Sequence, residues 1–401
     1  MKKDLIGGVT TFLTMAYIVI VNPAILSTQG SGMSFSGVLT ATVLLAFTMT
    51  LLMGLYARLP FAVAPGMGIN AFFTYSLIIG QNIPWPVALG MVFWAGMIFL
   101  IISATPLREK IARVIPNQLR IASAVGIGIF LAFIGLKNMG IVTHDNVTFV
   151  KLGSFTKQVV LSCVGFLIMA LLMRKKSPFA ILAGIVFPTI TAIALGWVMM
   201  PASIFSQPDF HSVFFKLDIM GALKLSLVPA ILSILFTDLF DSISTFVGVS
   251  QATGLTNKNG EPLRLREGLL VDAFATLTAG IFGTSSGTAF IESAAGIEAG
   301  GRTGRSAIVT AICFLPCLFI APLVGIVPDY ATGPALLLVG MLMFRSIREI
   351  KAQGIEEWFP VFLTIIMIPL TFSITQGILW GLISHVVLFT LTGRFREVMR
   401  V

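Results

Sequence analysis

The sequence predicts an all-α polytopic membrane protein, with fourteen transmembrane segments in a 7+7 inverted repeat and short extended strands in broken segments 3 and 10. Three observations carry the prediction. Of the 401 residues, 56% are hydrophobic and 11% charged, against about 25% charged in a globular chain. Apolar runs recur along the whole length, with a mean hydropathy of +0.98. The Lys and Arg residues fall on alternate sides of those runs, with a strong bias to one side.

A hydrocarbon core of about 30 Å takes roughly 20 apolar residues per helix. Reading apolar runs against breakers gives segments at 5–26, 36–57, 61–79, 85–104, 119–136, 158–173, 179–199, 220–252, 267–282, 288–300, 303–327, 331–345, 357–372 and 375–392. The first follows Met1-Lys2-Lys3-Asp4 directly, with no small-residue cleavage site, so no removable leader is expected. Arg58 closes the second. Arg174, Lys175 and Lys176 separate the sixth from the seventh, and Arg345 and Arg348 follow the twelfth.

Charge tests the count. With the N-terminus in the cytoplasm, the inside receives Lys2, Lys3, Arg58, Arg108, Lys110, Arg113, Arg120, Arg174, Lys175, Lys176, Lys258, Arg264, Arg266, Arg302, Arg305, Arg345, Arg348, Lys351, Arg394, Arg396 and Arg400. The outside receives only Lys137, Lys151, Lys157, Lys216 and Lys224. This is the asymmetry that the positive-inside rule expects. It places the chain in the cytoplasmic (inner) membrane, multi-pass, with both termini cytoplasmic. The net charge of +9 therefore reports topology. No basic stripe or tail supports a nucleic-acid partner; the expected surroundings are the lipid bilayer.

Two segments share an unusual build. The third contains Ala64-Pro65-Gly66-Met67-Gly68-Ile69-Asn70, and the tenth Gly283-Thr284-Ser285-Ser286-Gly287-Thr288-Ala289. Each is an extended stretch broken by Gly or Pro, followed by a run long enough for half a helix. Each stands third in a set of seven, and because seven is odd the second set is inverted. The repeats are 1–215 and 216–401. Paired broken segments in inverted halves mark a transporter site near the bilayer midplane, where non-helical backbone is tolerated only inside protein or beside a wet cavity.

Most acids lie in loops, Glu109, Glu261 and Glu397 among them. Glu267 begins segment 9 at the cytoplasmic edge, and the rest are Asp238, Asp241, Asp272, Glu292 and Glu298. A carboxylate at membrane depth costs at least about 2.5–3.5 kcal/mol, so it is a functional hypothesis by default. Asp238 and Asp241 are three apart on one helix face, and Thr245 follows Asp241 by a turn. Glu292 begins the half-helix of segment 10, beside its free N–H groups. Asp241 and Glu292 are the principal substrate and proton candidates. Asp238 is read either as a third proton-handling group or as a brace for a broken segment. Asp272 is read as a structural contact, and Glu298 as a partner of Arg302 and Arg305.

Other motifs carry no chemistry. Gly66-Met67-Gly68-Ile69-Asn70-Ala71 fits a dinucleotide pattern outside any βαβ unit. Gly300 to Ser306 lacks the P-loop ending. Cys163, Cys313 and Cys317 sit in apolar runs and are expected to pack. His144 and His211 fall in outer loops, and His385 is isolated in segment 14. No metal, no cofactor and no enzymatic activity are expected.

Three motifs together resemble a known family. They are Ala64 to Phe73, Thr237-Asp238-Leu239-Phe240-Asp241-Ser242, and above all Phe290-Ile291-Glu292-Ser293-Ala294 through Gly300-Gly301-Arg302-Thr303-Gly304. They are similar to the AzgA-like purine permeases of the nucleobase/ascorbate transporter superfamily, and the likeness runs from Gly7 to Thr371. The resemblance implies a UraA-like fold. Its core domain is segments 1–4 and 8–11 (about 5–104 and 220–327), and its gate domain is segments 5–7 and 12–14 (about 119–199 and 331–392). It implies proton-coupled uptake of hypoxanthine, guanine or adenine by a homodimer. Asp241 and Glu292 would then be the substrate- and proton-handling acids, with Asn70 a supporting polar group.

A purine's edge agrees with that assignment. Glu292 can accept two neighbouring N–H bonds, and a site built to pair N–H groups rejects analogues lacking them. Phe72, Phe73, Phe240 and Phe290 are placed in sequence to flank a ring. Two alternatives remain: a carrier of another nucleobase, xanthine or uracil, or an anion transporter on the same fold. The latter wants cations at the half-helices, where the runs themselves hold acids.

Overall fold

In the computed structural model, residues 1–105, 116–257 and 262–394 are described. The charged positions Arg108, Glu109, Lys110, Arg113, Lys258, Glu261, Arg396, Glu397 and Arg400 lie outside the described residues. Among those described, eight helices are long and apolar enough to cross a membrane, and three shorter apolar helices accompany them.

Segment 1 is two helices, Lys2–Met15 and Ile18–Leu26, separated at Ala16-Tyr17. Segment 2 runs Phe35–Leu52, started by the Ser34 hydroxyl accepting from the Gly37 N–H, and continues as wider π-helical turns over Met53–Ala57. Segment 4 is Trp85–Ala104 and segment 5 Asn117–Asn138. Segments 6 and 7 are Lys157–Arg174 and Ala180–Ala194. Segment 8 starts at Val228, later than the sequence predicts. Residues 221–227 form 3₁₀ turns instead, and Pro229 sits in the first turn, where a missing N–H costs nothing. It ends at Thr253, with Gly254 at φ 70° closing it in the left-handed region. Segment 9 is Leu265–Phe282 and segment 11 begins as Gly304–Phe314. Segments 12, 13 and 14 are Asp329–Phe344, Ile355–Thr371 and Ile374–Leu391.

Strand β1, Val63–Pro65, belongs to segment 3, and β4, Gly287–Ala289, to segment 10. Between them in sequence lies a hairpin that the sequence reading does not anticipate, β2 Val142–Asp145 and β3 Phe149–Leu152, joining segments 5 and 6. Asp145 ties its turn by accepting from the Val147 and Thr148 amides at 2.9 and 3.1 Å.

Packing sorts the segments. Segment 1 lies against 10 and 11, segment 2 against 9 and 11, and segment 4 against 8 and 9. Segment 5 lies against 12, 13 and 14, while segments 6 and 7 pack on each other and on 12. Segments 5 and 12 approach backbone to backbone. A Cβ on Gly128 would fall 2.6 Å from the Gly340 carbonyl oxygen, and one on Gly135 2.7 Å from that of Gly333. Small residues permit such contact where lipid supplies no hydrophobic drive to pack. The three cysteines are half-buried, and Cys317 packs against the main core.

Candidate substrate site

The two broken segments meet. β1 and β4 pair antiparallel, with Val63 opposite Ala289, Ala64 opposite Thr288 and Pro65 opposite Gly287. Gly66 N–H donates to Ser286 O and Phe290 N–H to Ala62 O, both at 2.9 Å. Side chains complete the accounting. The Thr50 hydroxyl bonds both the carbonyl and the amide of Val63, at 3.0 and 2.9 Å, and the Ala62 N–H donates to Ser293 Oγ at 3.0 Å. Extended backbone at this depth is thus satisfied inside protein, as a medium without water demands.

From each strand a short helix leaves, Met67–Ala71 on one side and Ser293–Glu298 on the other. Asn70 is fully buried on the first, and its amide oxygen accepts from Ser285 Oγ. The first half-helix is therefore tied by a polar side chain to the stretch that leads into β4, as well as through the strands.

The four inner acids divide into two pairs. Asp238 and Asp272 are both 0% exposed. Asp238 accepts from Thr276 Oγ1, which also donates to the Gly287 carbonyl at 3.0 Å. Asp272 accepts from Ser242 Oγ, which lies 3.2 Å from Thr288 Oγ1. These two carboxylates tie segments 8 and 9 to the back of β4. Asp241 and Glu292 instead reach accessible surface, Asp241 exposed and Glu292 half-exposed, on the helices of segments 8 and 10, which pack against each other. Glu292 Oε1 accepts from the Tyr17 hydroxyl at 2.7 Å. Sequence reasoning missed Tyr17, whose contact spans 275 positions.

Segment 8 shows what the exposed acids face. Its N-terminal half exposes the apolar side chains Val228 and Leu232. On the opposite face of its C-terminal half, Asp241, Ser244, Gly248 and Gln251 are exposed. These exposed positions form a polar stripe on the face opposite the apolar one. Thr245, one turn from Asp241, is buried beside that stripe.

The aromatic residues are dispersed. Phe72 and Phe73 are fully buried in the main core, and Phe290 is buried at the end of β4. Phe240 stacks on Phe236 and lies beneath Arg120, whose guanidinium carbon is 5.0 Å from the ring centroid. A cation from segment 5 thus stands over the neighbour of Asp241, which the run of segment 8 alone does not reveal. Arg120 Nε is buried without a hydrogen-bond partner among the described residues.

A family model described as "Permease family" matches residues 2–380. The chain belongs to this permease family. A putative permease of Methanocaldococcus jannaschii is 44% identical over 400 residues, covering 99% of this chain and 91% of the relative. The adenine permease AdeP of Escherichia coli is 39% identical over 397 residues, covering 99% and 89%. The guanine/hypoxanthine permease PbuO of Bacillus subtilis is 38% identical over 406 residues, covering 99% and 93%. Among solved structures, the transmembrane domain of the cyanobacterial bicarbonate transporter BicA matches with a TM-score of 0.66 at 19% identity, over 96% of this permease and 97% of that chain. The anion transporter SLC26A9 gives 0.67 at 10% identity, over 98% and 65%. At such identities the likeness shows the fold alone. The permease has the polytopic helical fold of these membrane transporters, with its short strands, and is a transporter rather than an enzyme.

Proposed function

We propose that this permease carries the purine bases hypoxanthine, guanine and adenine into the cell together with a proton, by alternating access across the cytoplasmic membrane. The observation that carries the reading is the pairing of Asp241 and Glu292 at the solvent-reaching edge of the strand crossing. A flat neutral base offers N–H donors along its edge, and two carboxylates can accept them. The same groups can hold the coupled proton, with Asp238 behind them. The names of the E. coli and B. subtilis relatives, adenine and guanine/hypoxanthine permeases, support the substrate class.

Segments 1–4 and 8–11 form the core that holds the base, and segments 5–7 and 12–14 the gate against which it moves, as the resemblance to purine permeases implies. Packing within each set supports the division. The polar stripe from Asp241 to Gln251 supports an inward-facing state, with both termini cytoplasmic. The working unit is a homodimer in the bilayer. One proton entering with a neutral base gains about 2.3 kcal/mol per 100 mV. At about 1.4 kcal/mol per tenfold, that sustains roughly fifty-fold accumulation.

Carriage of xanthine or uracil would use the same chemistry. An anion reading is disfavoured because the groups that reach solvent are carboxylates, while Arg120 is stacked on Phe240. The test is uptake of labelled hypoxanthine, guanine, adenine, xanthine and uracil by cells lacking their own carriers. Saturable uptake of the three purines is expected. Uptake of none of the five, by protein shown to be in the membrane, would overturn the assignment.

A further inference from the structure

Segment 1 is not a continuous helix. Its regular hydrogen bonding stops at Met15 and resumes at Ile18, with Ala16 and Tyr17 both in the right-handed helical region, and the Tyr17 side chain reaches segment 10. Tyr17 is 1% exposed, and its hydroxyl donates to Glu292 Oε1 at 2.7 Å. One turn earlier, Thr14 Oγ1 stands 3.5 Å from the Glu292 carbonyl oxygen. A Cβ on Gly296, one turn beyond Glu292, would strike the Thr11 side chain and the Gly7 backbone. The two elements are therefore in direct contact around the buried Tyr17 side chain.

A glutamate at a cavity edge has three rotatable bonds and pays for fixing them when it binds a ligand. A phenol held in the protein core removes much of that cost. It occupies one lone pair of Oε1, the residue's own backbone amide also bonds the carboxylate, and the remaining lone pairs of the two oxygens can still accept from a base. That is the geometry needed to accept two adjacent N–H groups of a base.

We propose that Tyr17 is a positioning residue for the substrate: from the break in segment 1 it fixes the Glu292 carboxylate in the orientation that accepts the base's N–H edge. The proposal deepens the purine–proton reading and rests on it.

The test is hypoxanthine uptake kinetics in Tyr17→Phe, which removes one oxygen, and in the double variant Tyr17→Phe/Glu292→Gln. A hydrogen bond to a charged group corresponds to roughly a tenfold or greater change. Tyr17→Phe is therefore expected to raise KM for hypoxanthine about tenfold with a much smaller change in maximal rate. It should also lose discrimination against an N-methylated purine. Binding of labelled hypoxanthine to purified protein should show the same loss, and Tyr17→Phe should add nothing to Glu292→Gln, because its effect runs through that carboxylate. Equal binding by wild type and Tyr17→Phe would overturn the proposal, as would an equal further loss in the Glu292→Gln background. If Tyr17→Phe fails to reach the membrane, Tyr17→His supplies a donor on a different ring. Near-wild-type KM there supports the proposal, and a tenfold rise overturns it. Failure of the purine reading looks different: Glu292→Gln itself would bind and transport like wild type.

Discussion

Gly248 lies on the polar stripe of segment 8, two turns beyond Asp241, and a Cβ built on it meets no atom within 4 Å. That is unusual for a glycine at membrane depth in this fold. A Cβ on Gly128 would fall 2.6 Å from the carbonyl oxygen of Gly340. A cysteine at 248 therefore fits without a clash, and replacing a glycine inside a helix favours the helix by up to about 1 kcal/mol. Gly248→Cys is thus expected to insert normally and transport at close to the wild-type rate. The native Cys163, Cys313 and Cys317 would be replaced first, since all three are free. A membrane-impermeant thiol reagent should then label position 248 in inside-out vesicles and not from outside intact cells. Uptake should fall to a few per cent after labelling, because the adduct fills the approach to Asp241. Labelling from outside alone, from neither side, or without loss of uptake would refute the placing of the cytoplasmic approach along this face.

Three further outcomes follow from the geometry. Asp241→Asn and Glu292→Gln should each cut purine uptake at least a hundredfold while leaving the amount of protein in the membrane unchanged; wild-type uptake in both would remove these acids from the site. Thr276→Val orphans a carboxylate and the Gly287 carbonyl, at about 1–3 kcal/mol for each buried group left unpaired, so the unfolding midpoint in detergent should drop by several degrees while Thr276→Ser stays near wild type. Asp209, outside the spanning segments, is pushed up by burial. Hydrogen bonds from Ser212, Ser36 and the His211 and Ser212 amides outweigh that and hold it at about 2. A depressed pKa contributes stability above the unfolded value near 4 that is lost as pH falls toward 2. Asp209→Asn should therefore flatten the acid side of the stability profile, and an unchanged profile would contradict the role.

Much of this arrangement is legible in the residues. Gly and Pro interrupt segments 3 and 10 at corresponding places, and those interruptions become β1 and β4. Three-residue spacing puts Asp238 and Asp241 on one helix, but their fates differ by partners on other segments. Asp238 meets Thr276 of segment 9, whereas Asp241 opens to solvent. Tyr17 is invisible in the sequence because its partner, Glu292, lies 275 positions away. The hairpin at 142–152 was passed over as an outer loop, although Val142-Thr143 and Phe149-Val150 have the β-branched and aromatic character of strands. Phe240 shows the limit of proximity in sequence. It adjoins Asp241, yet helical rotation turns it to Arg120 instead.

The most direct measurement is made on purified permease in proteoliposomes carrying an internal pH dye. Hypoxanthine added outside, under an inside-negative potential, should enter and acidify the lumen together, and Glu292→Gln should abolish both signals. Hypoxanthine accumulation that leaves lumenal pH unchanged and survives a protonophore would contradict purine–proton symport.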